Sequence, residues 1–548
     1  MRILTARPHR LLAACITRIG ERTEAGEACM FLVPSQYTLQ AELEIMDRLA
    51  LEGTFVIDVL SPGRLQSRVF ERAGAPQRVI FDERGKRMVL SELIAQEKEQ
   101  LTIYRSAAES GTQGFAAKIS SMIADFKRSG KTAQEILLAA EQMEDGPAKS
   151  KLQDAGRIYS AYEQRMAEEL ADAEDVSREM LARMERSGVL KGKHLFVYGF
   201  DMITPTFAAE LVHMAKLAAS LTLAVETDEN AAPDGRLFAP VNLSLDRLAA
   251  AARGAGVAIE RERIVCEVQE RDDLRAMEHA LYGIGVKPYE KDPEHISLRA
   301  ASTMRAEVHS TAAAIRRMCR DGMSTQDAAI VYPKGSGYAP LLMGILPMYG
   351  IPAYAAEKRL AAAHPLSRLV LSALACASGG MRTADVIECI QTGFMGLTQE
   401  EMDALCAYAE GVDLRSEAWK RPFTYMKDDD EQALAQLNAA REKAAEPLLR
   451  FMAALRRAKD ADGTIAAVIA LLDELNAYDK LDDMRAALME AGLAPEAEDC
   501  TQVWNQLMDT LDQLHTLLGG RRATAELAGK LLQEGLCALE LAAHKQND

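Results

Sequence analysis

Two segments constrain this chain more than any other feature: Phe31-Leu-Val-Pro-Ser-Gln36 and Val59-Leu-Ser-Pro-Gly-Arg-Leu65. In each, an apolar run precedes a short polar signature. That pattern reads as a buried strand delivering polar residues to the edge of a sheet. Arg2 to Thr5 reads as a first strand, with Met30 to Pro34 and Val56 to Leu60 the next two. Between the latter, Thr38 to Leu51 has helical apolar spacing at Leu39, Leu43, Met46 and Leu49–Ala50. The opening of the chain is therefore β–α–β.

From Asp82 to Ser187 the period becomes helical. Phe115, Ile119, Met122, Ile123 and Phe126 share one helix face that Gly130 can end; Leu152, Ile158, Tyr159, Tyr162 and Met166 form another. Strand patterns return at Leu195 to Gly199 and Leu221 to Val225, as if an α/β domain resumed after a helical insertion. Ala231 to Val241 reads as a loop and Pro288 to Pro293 as a linker. A second α/β unit is expected from strands at Ile296–Ala301, Ala328–Tyr332 and Ile351–Tyr354 and helices at Arg305–Arg320 and Tyr338–Tyr349. From Leu366 onward the pattern is helical without a convincing strand, and Asp428 to Glu431 reads as a solvated helix start.

The length of 548 residues allows several domains, and 48% hydrophobic with 26% charged residues is an ordinary globular balance. No apolar run is long enough for a bilayer, and Arg7, His9 and Arg10 interrupt any signal-peptide core; a cytoplasmic protein with no membrane partner is expected. The net charge of −17 confines any nucleic-acid site to a local groove. Nine cysteines lack zinc or iron–sulfur spacing and read as free buried thiols.

An α/β domain in this order suggests a P-loop helicase core, whose first strand needs a following G-x-x-x-x-G-K-[ST] loop to wrap phosphates. Here Ala6-Arg-Pro-His-Arg-Leu-Leu12 follows, with no glycine before Gly20, and Pro8 removes one N–H donor. A second core strand should end in carboxylates that hold Mg²⁺. Tyr198 and Gly199 stand there instead, and Asp201 comes late. No nuclease carboxylate–lysine set and no G-x-S-x-G elbow is present; Glu226-Thr-Asp228 reads as loop carboxylates. Catalytic, cofactor and metal residues are expected to be absent from this chain.

The chain resembles the N-terminal half of AddB/RexB-type B subunits of bacterial ATP-dependent helicase–deoxyribonucleases. Phe31 to Glu42 is close to the family's VP-x-Q-x-T segment, Ser61 to Arg68 to its S-F-x-R-L turn, and Leu195 to Pro205 to its DGF-x-x-F-T-P strand, with Tyr198 and Ile203 as departures. Arg305-Ala-Glu-Val308, Asp327-Ala-Ala-Ile330, Tyr349-Gly-Ile-Pro352 and His364-Pro-Leu366 resemble motifs of its second helicase-like domain; Thr392-Gly393 and Gln502-Val-Trp504 look like its second helical insertion. The resemblance implies an α/β fold of two RecA-like, P-loop helicase-like domains, each with a helical insertion and the second incomplete. The expected organisation is 1–80 and 191–290 for the first domain and linker, 81–190 for its insertion, 291–375 for the incomplete second domain and 376–548 for its insertion. The family implies a motor/nuclease A subunit as heterodimer partner, single- and double-stranded DNA ends as ligands, ATP and Mg²⁺ in the complex, and an iron–sulfur cluster in a nuclease domain beyond this chain. The sequence would then be a truncated product or an N-terminal piece.

The residues carried over as DNA-binding are Gln36, Thr38, Arg64, Arg68 and Phe200. Gln can read a base edge, Arg can pair with phosphate or guanine, and Phe can stack on an unpaired base. Each also has an ordinary reading: Gln36 and Thr38 as helix-start residues, Arg64 and Arg68 as partners for Glu71 or Asp58, Phe200 as core. Ser67 stands where the family often has an aromatic. Three functions follow for comparison: a DNA-guiding subunit with degenerate ATPase motifs in double-strand-break processing and recombinational repair, a protein scaffold without DNA contact, and an ATPase with a diverged loop.

Overall fold

The computed structural model describes residues 1–6, 10–51, 53, 57–110, 114–168, 170–227, 238–264, 271–282, 287–355, 359–426, 430–519 and 523–541. The strands are β1 (Arg2–Ala6), β2 (Cys29–Leu32), β3 (Ile57–Leu60), β4 (Val79–Ile80), β5 (Leu170–Ala171), β6 (His194–Val197), β7 (Ser220–Glu226), β8 (Glu260–Arg263), β9 (Arg359–Leu360) and β10 (Glu540–Leu541). Six form one sheet in the order β3-β2-β6-β7-β1-β8, and every pairing in it is parallel. β4–β5 and β9–β10 are separate two-residue pairs. The protein is thus α/β with a parallel central sheet.

Two compact units divide the chain: Met1–Ile80 with Ser121–Leu298, and Phe81–Ser120 with Arg299–Asp548. The first holds the six-stranded sheet and α1 (Leu11–Glu24), α2 (Thr38–Leu49) and α3 (Pro62–Ala73). The chain then enters the second unit for α4 (Glu83–Glu97) and α5 (Arg105–Ser110), and α6 (Phe115–Arg128) carries it back. The first unit continues with α7 (Ala133–Glu141), α8 (Pro147–Glu168), α9 (Ala173–Ser187), α10 (Pro205–Leu217), α11 (Ala239–Gly254) and α12 (Asp272–Tyr282).

Alternate strand residues face opposite cores, which is why the strands read as continuous apolar runs. Leu4, Cys29, Phe31, Val59 and Phe196 pack against Leu11, Cys15, Ile19, Ala41 and Ile45 of α1 and α2. Ile3, Met30, Leu32, Leu195 and Leu223 pack against α3, α9, α10 and α11. The apolar spacing read in Thr38–Leu51 marks the wrong face of α2. Ala41 and Ile45 are buried, whereas Leu39 and Leu43 are 67% and 57% exposed. A core helix lying close on a sheet needs small side chains at the contact, and Ala41 supplies one. The helix faces read in α6 and α8 agree with the burial of Ile119, Ile123, Ile158, Tyr159, Tyr162 and Met166. β8, reading Glu-Arg-Glu-Arg, carries no apolar signal at all.

The second unit adds α13 (Met304–Arg320), α14 (Tyr338–Ile345), α15 (Pro365–Gly379), α16 (Thr383–Gln391), α17 (Gln399–Gly411), α18 (Glu431–Arg457), α19 (Ala461–Glu474), α20 (Ala477–Glu490), α21 (Ala494–Leu518) and α22 (Ala525–Cys537). Asp430 caps α18, accepting from the Ala433 N–H, as the acidic run suggested; its neighbours 427–429 lie outside the described residues. The three strands expected here form no ladder: Ile296–Ala301, Ala328–Tyr332 and Ile351–Tyr354 are irregular. Ile351, Ile330 and Tyr332 do meet the small core of α13 and α14, while Leu298 and Val331 are 99% and 95% exposed. Alternation fixes which side chains meet a helix, but a ladder also needs a facing strand, and period two carries no information about one. α4 is buried nearly all round, from Met88 to Ile94, against α21 and α22. Arg84 donates to the Gln506 carbonyl and Arg87 to that of Cys537.

Candidate nucleic-acid interface

Open parallel sheets place ligands beyond the C-terminal ends of their strands. At that edge of the first unit, β2 leads through Val33 and Pro34 into a turn at Ser35–Tyr37 that opens α2. Gln36 is exposed in that turn and has no partner among the described residues. The Thr38 hydroxyl donates to the Ser35 carbonyl at 3.1 Å, which is a local helix-start bond. β3 leads into Ser61, whose Oγ accepts from the Arg64 N–H at 3.3 Å and caps α3, with Pro62 at its first turn.

Arg64 and Arg68 line one cleft of about 450 Å³ together with Glu42, Ser67, Glu71 and all four residues of β3. Arg68 bonds Asp58 at 2.7 Å, and Lys193 bonds the same carboxylate at 2.5 Å. Burial opposes ionisation of Asp58, but these bonds outweigh it and hold its carboxyl below the usual range. Arg68 therefore takes the ordinary role anticipated for it. The Arg64 side chain is exposed, and no carboxylate among the described residues lies in ion-pair range of it.

Phe200 is half-buried against Phe207, ring centroids 5.0 Å apart, and belongs to the core cluster beneath α3 and α10. The five residues thus fall into three places: Gln36 and Thr38 on the turn into α2, Arg64 and Arg68 in the cleft, and Phe200 on the opposite face of the sheet from α2.

The strand end that should carry Mg²⁺-holding carboxylates carries aromatic rings. Tyr198, directly after β6, stacks on Phe31 at 6.4 Å and leans on Tyr37 at 5.8 Å. Its hydroxyl lies 3.5 Å from Glu226, the last residue of β7. Burial, then the Glu226 charge, pushes the Tyr198 hydroxyl well above its ordinary pKa, and burial raises that of Tyr37. Below them, burial pushes the Cys15 thiol up to about 12, as for an inert core cysteine. The cysteines among the described residues are all free. Glu226 belongs to the strand end, not to a solvated loop. Thr227 beside it donates to Asn242 Oδ1 at 2.6 Å. Residues 31, 37, 198 and 226 are too far apart in sequence for any spacing to have grouped them. Residues 7–9, where a phosphate loop would begin, lie outside the described residues. Among the described residues no cluster of His, Cys, Asp or Glu could hold a metal ion, and no helix is long and apolar enough to cross a membrane.

A six-stranded parallel sheet with helices packed on both faces defines an α/β protein. Residues 9–279 match the family model described as ADDB, N-terminal. Similar chains include the B subunit of the ATP-dependent helicase/deoxyribonuclease of Alkaliphilus metalliredigens (strain QYMF), 28% identical over 94% of this chain and 47% of that protein. The proteins of the same name from Bacillus cereus and Acetivibrio thermocellus are 26% and 25% identical, over 96% and 95% of this chain and 48% and 47% of their own length. The chain belongs to this family of helicase/deoxyribonuclease B subunits, and it spans about half the length of the curated relatives it matches.

Proposed function

We propose that this chain is the helicase-like N-terminal part of the B subunit of an ATP-dependent helicase–exonuclease, and that it guides single-stranded DNA without hydrolysing ATP itself. The complex would act in the cytoplasm at double-strand breaks, with an A subunit supplying the motor, ahead of recombinational repair. The observation that carries this reading is the strand order. β7 lies between β1 and β6, so the first strand and the strand that should bear catalytic carboxylates are separated by one, as in RecA-like cores. On that core, Tyr198 and its ring partners occupy the carboxylate position. The proposed organisation keeps two helicase-like domains with helical insertions.

Arg64 is the strongest of the five DNA candidates, because it is exposed and uncommitted. Arg64→Ala should weaken binding of a labelled single strand and lower the salt slope by about 0.7, the value for one phosphate contact. Arg68→Ala should leave the slope unchanged. Gln36→Ala should matter only for certain sequences, and an ATPase assay should show no turnover. A scaffold without DNA contact is favoured by the commitments of Arg68 to Asp58 and Phe200 to Phe207. Absence of single-strand binding by the parent chain would select it; parent-like binding and slope in folded Arg64→Ala, Gln36→Ala and Phe200→Ala proteins would put the groove elsewhere or favour the scaffold.

A further inference from the structure

The two edges of the six-stranded sheet are finished differently. β8 is Glu260-Arg-Glu-Arg263, and its carboxylates are tied to Arg2 and Arg18. A short, charged strand of this kind discourages pairing with another chain. The opposite edge, β3, is Ile57-Asp-Val-Leu60, and the 450 Å³ cleft runs along all four of its residues.

The Val33 N–H donates to the Leu60 carbonyl at 3.0 Å, so Leu60, and by alternation Asp58, turn their backbone groups toward β2. Ile57 and Val59 then turn theirs to the cleft, where no bond to them exists among the described residues. Glu42 on α2 and Glu71 on α3 form the two lips. Asp58 is neutralised by Lys193 and Arg68, but neither Glu42 nor Glu71 has a cation within ion-pair range among the described residues. Beside Glu42, at about 100° or less around α2, are the exposed leucines 39 and 43.

We propose that this corner docks an extended polypeptide segment of a partner chain, which adds a strand outside β3. Such a segment would carry a lysine or arginine on each of its two faces, one for Glu42 and one for Glu71, and an apolar residue for Leu39 and Leu43. Strand addition takes its affinity from main-chain bonds and its specificity from alternate side chains. A nucleic-acid strand does not form the alternating N–H and C=O ladder that the Ile57 and Val59 edge offers, and its phosphates would face both carboxylates. The inference concerns the β3 edge of the cleft that Arg64 also lines, so a single strand held at Arg64 would compete with the segment.

The test is selection of a random dodecapeptide display library on the full chain, followed by titration of the selected fluorescein-labelled peptides. Val59→Pro removes the outward N–H and leaves the ladder to β2 intact. Selected peptides should be basic on both faces and bind Val59→Pro roughly tenfold more weakly, on the scale of one lost hydrogen bond. A labelled (dT)20 strand should bind the parent and Val59→Pro alike. No enrichment, or peptides that bind Val59→Pro like the parent, overturns the proposal; so does loss of (dT)20 binding, which would assign the edge to nucleic acid. If circular dichroism shows Val59→Pro unfolded, the double variant Glu42→Lys/Glu71→Lys decides. It should turn the selection from basic to acidic peptides, and an unchanged basic selection overturns the proposal.

Discussion

Gly199 turns the chain out of β6 at φ +84°, and a Cβ there would lie 3.0 Å from Pro34 Cδ. Both the left-handed backbone and the proline ring oppose a side chain, so Gly199→Ala should destabilise by about 1–2 kcal/mol. Denaturant midpoints would measure it, and equal midpoints would mean that the turn relaxes. Asp58 provides a pH prediction. Its folded carboxyl titrates below the ordinary range, so its contribution is fully present above the unfolded pKa, about 3.9, and is lost as pH falls through the folded value. Asp58→Asn should flatten the fall in stability below about pH 4; an unchanged acid limb would exclude the linkage. At this scale the sequence was informative where chemistry is local. The Arg68–Asp58 pair, the helix-start role of Thr38 and the packing of Phe200 were all readable from near neighbours. The Tyr198 cluster was not, because its members meet only through the sheet order.

Among the elements, α6, α8 and α9 are joined by a buried charge network. Lys127 of α6 bonds Asp172 at 2.5 Å and Asp175 at 3.2 Å, and the Tyr162 hydroxyl of α8 donates to Asp172 at 2.9 Å. Asp172 and Asp175 also form the capping box of α9, so one ammonium group holds the start of a neighbouring helix. Lys127→Met removes the ammonium that bridges the two buried carboxylates, Asp175 keeping its bond to Arg178, and should cost about 3 kcal/mol. Adding Asp172→Asn should recover part of that loss, which chemical denaturation would detect; no recovery would place the cost in packing instead. Amphipathic helices such as α6 and α8 were legible because their apolar faces are their contacts. The face of α2 was misread because the sheet selects Ala41 over larger leucines. β8 was invisible because an edge strand is permitted to be wholly charged, and the segments of the second unit showed alternation without a pairing partner.

The division of the whole molecule is discontinuous. The exposed stretch 287–298 precedes the last passage between units, yet α4 lies N-terminal to it and belongs to the second unit. Limited proteolysis at 287–298 should therefore give two fragments that co-elute in size-exclusion chromatography, held by α4 against α21 and α22. A recombinant fragment 1–298 should aggregate, since the apolar residues Met88, Val89, Leu90, Leu93 and Ile94 would lose their cover. Polar replacement of those residues should restore a dispersed fragment. If the unmodified fragment is monodisperse, α4 does not need its C-terminal partners.

The same placement of α4 imposes a waiting time on the nascent chain. α4 is complete at residue 97, whereas α21 begins at 494. At ~5–20 residues per second, the roughly 400 intervening residues take about 20–80 s to synthesise. For that interval a helix destined to be covered on nearly every side has no native cover. The ribosome thus delivers the first unit's sheet together with an unsatisfied apolar helix that only the far end of the chain can shelter, making α4 the natural segment for a chaperone to hold during translation.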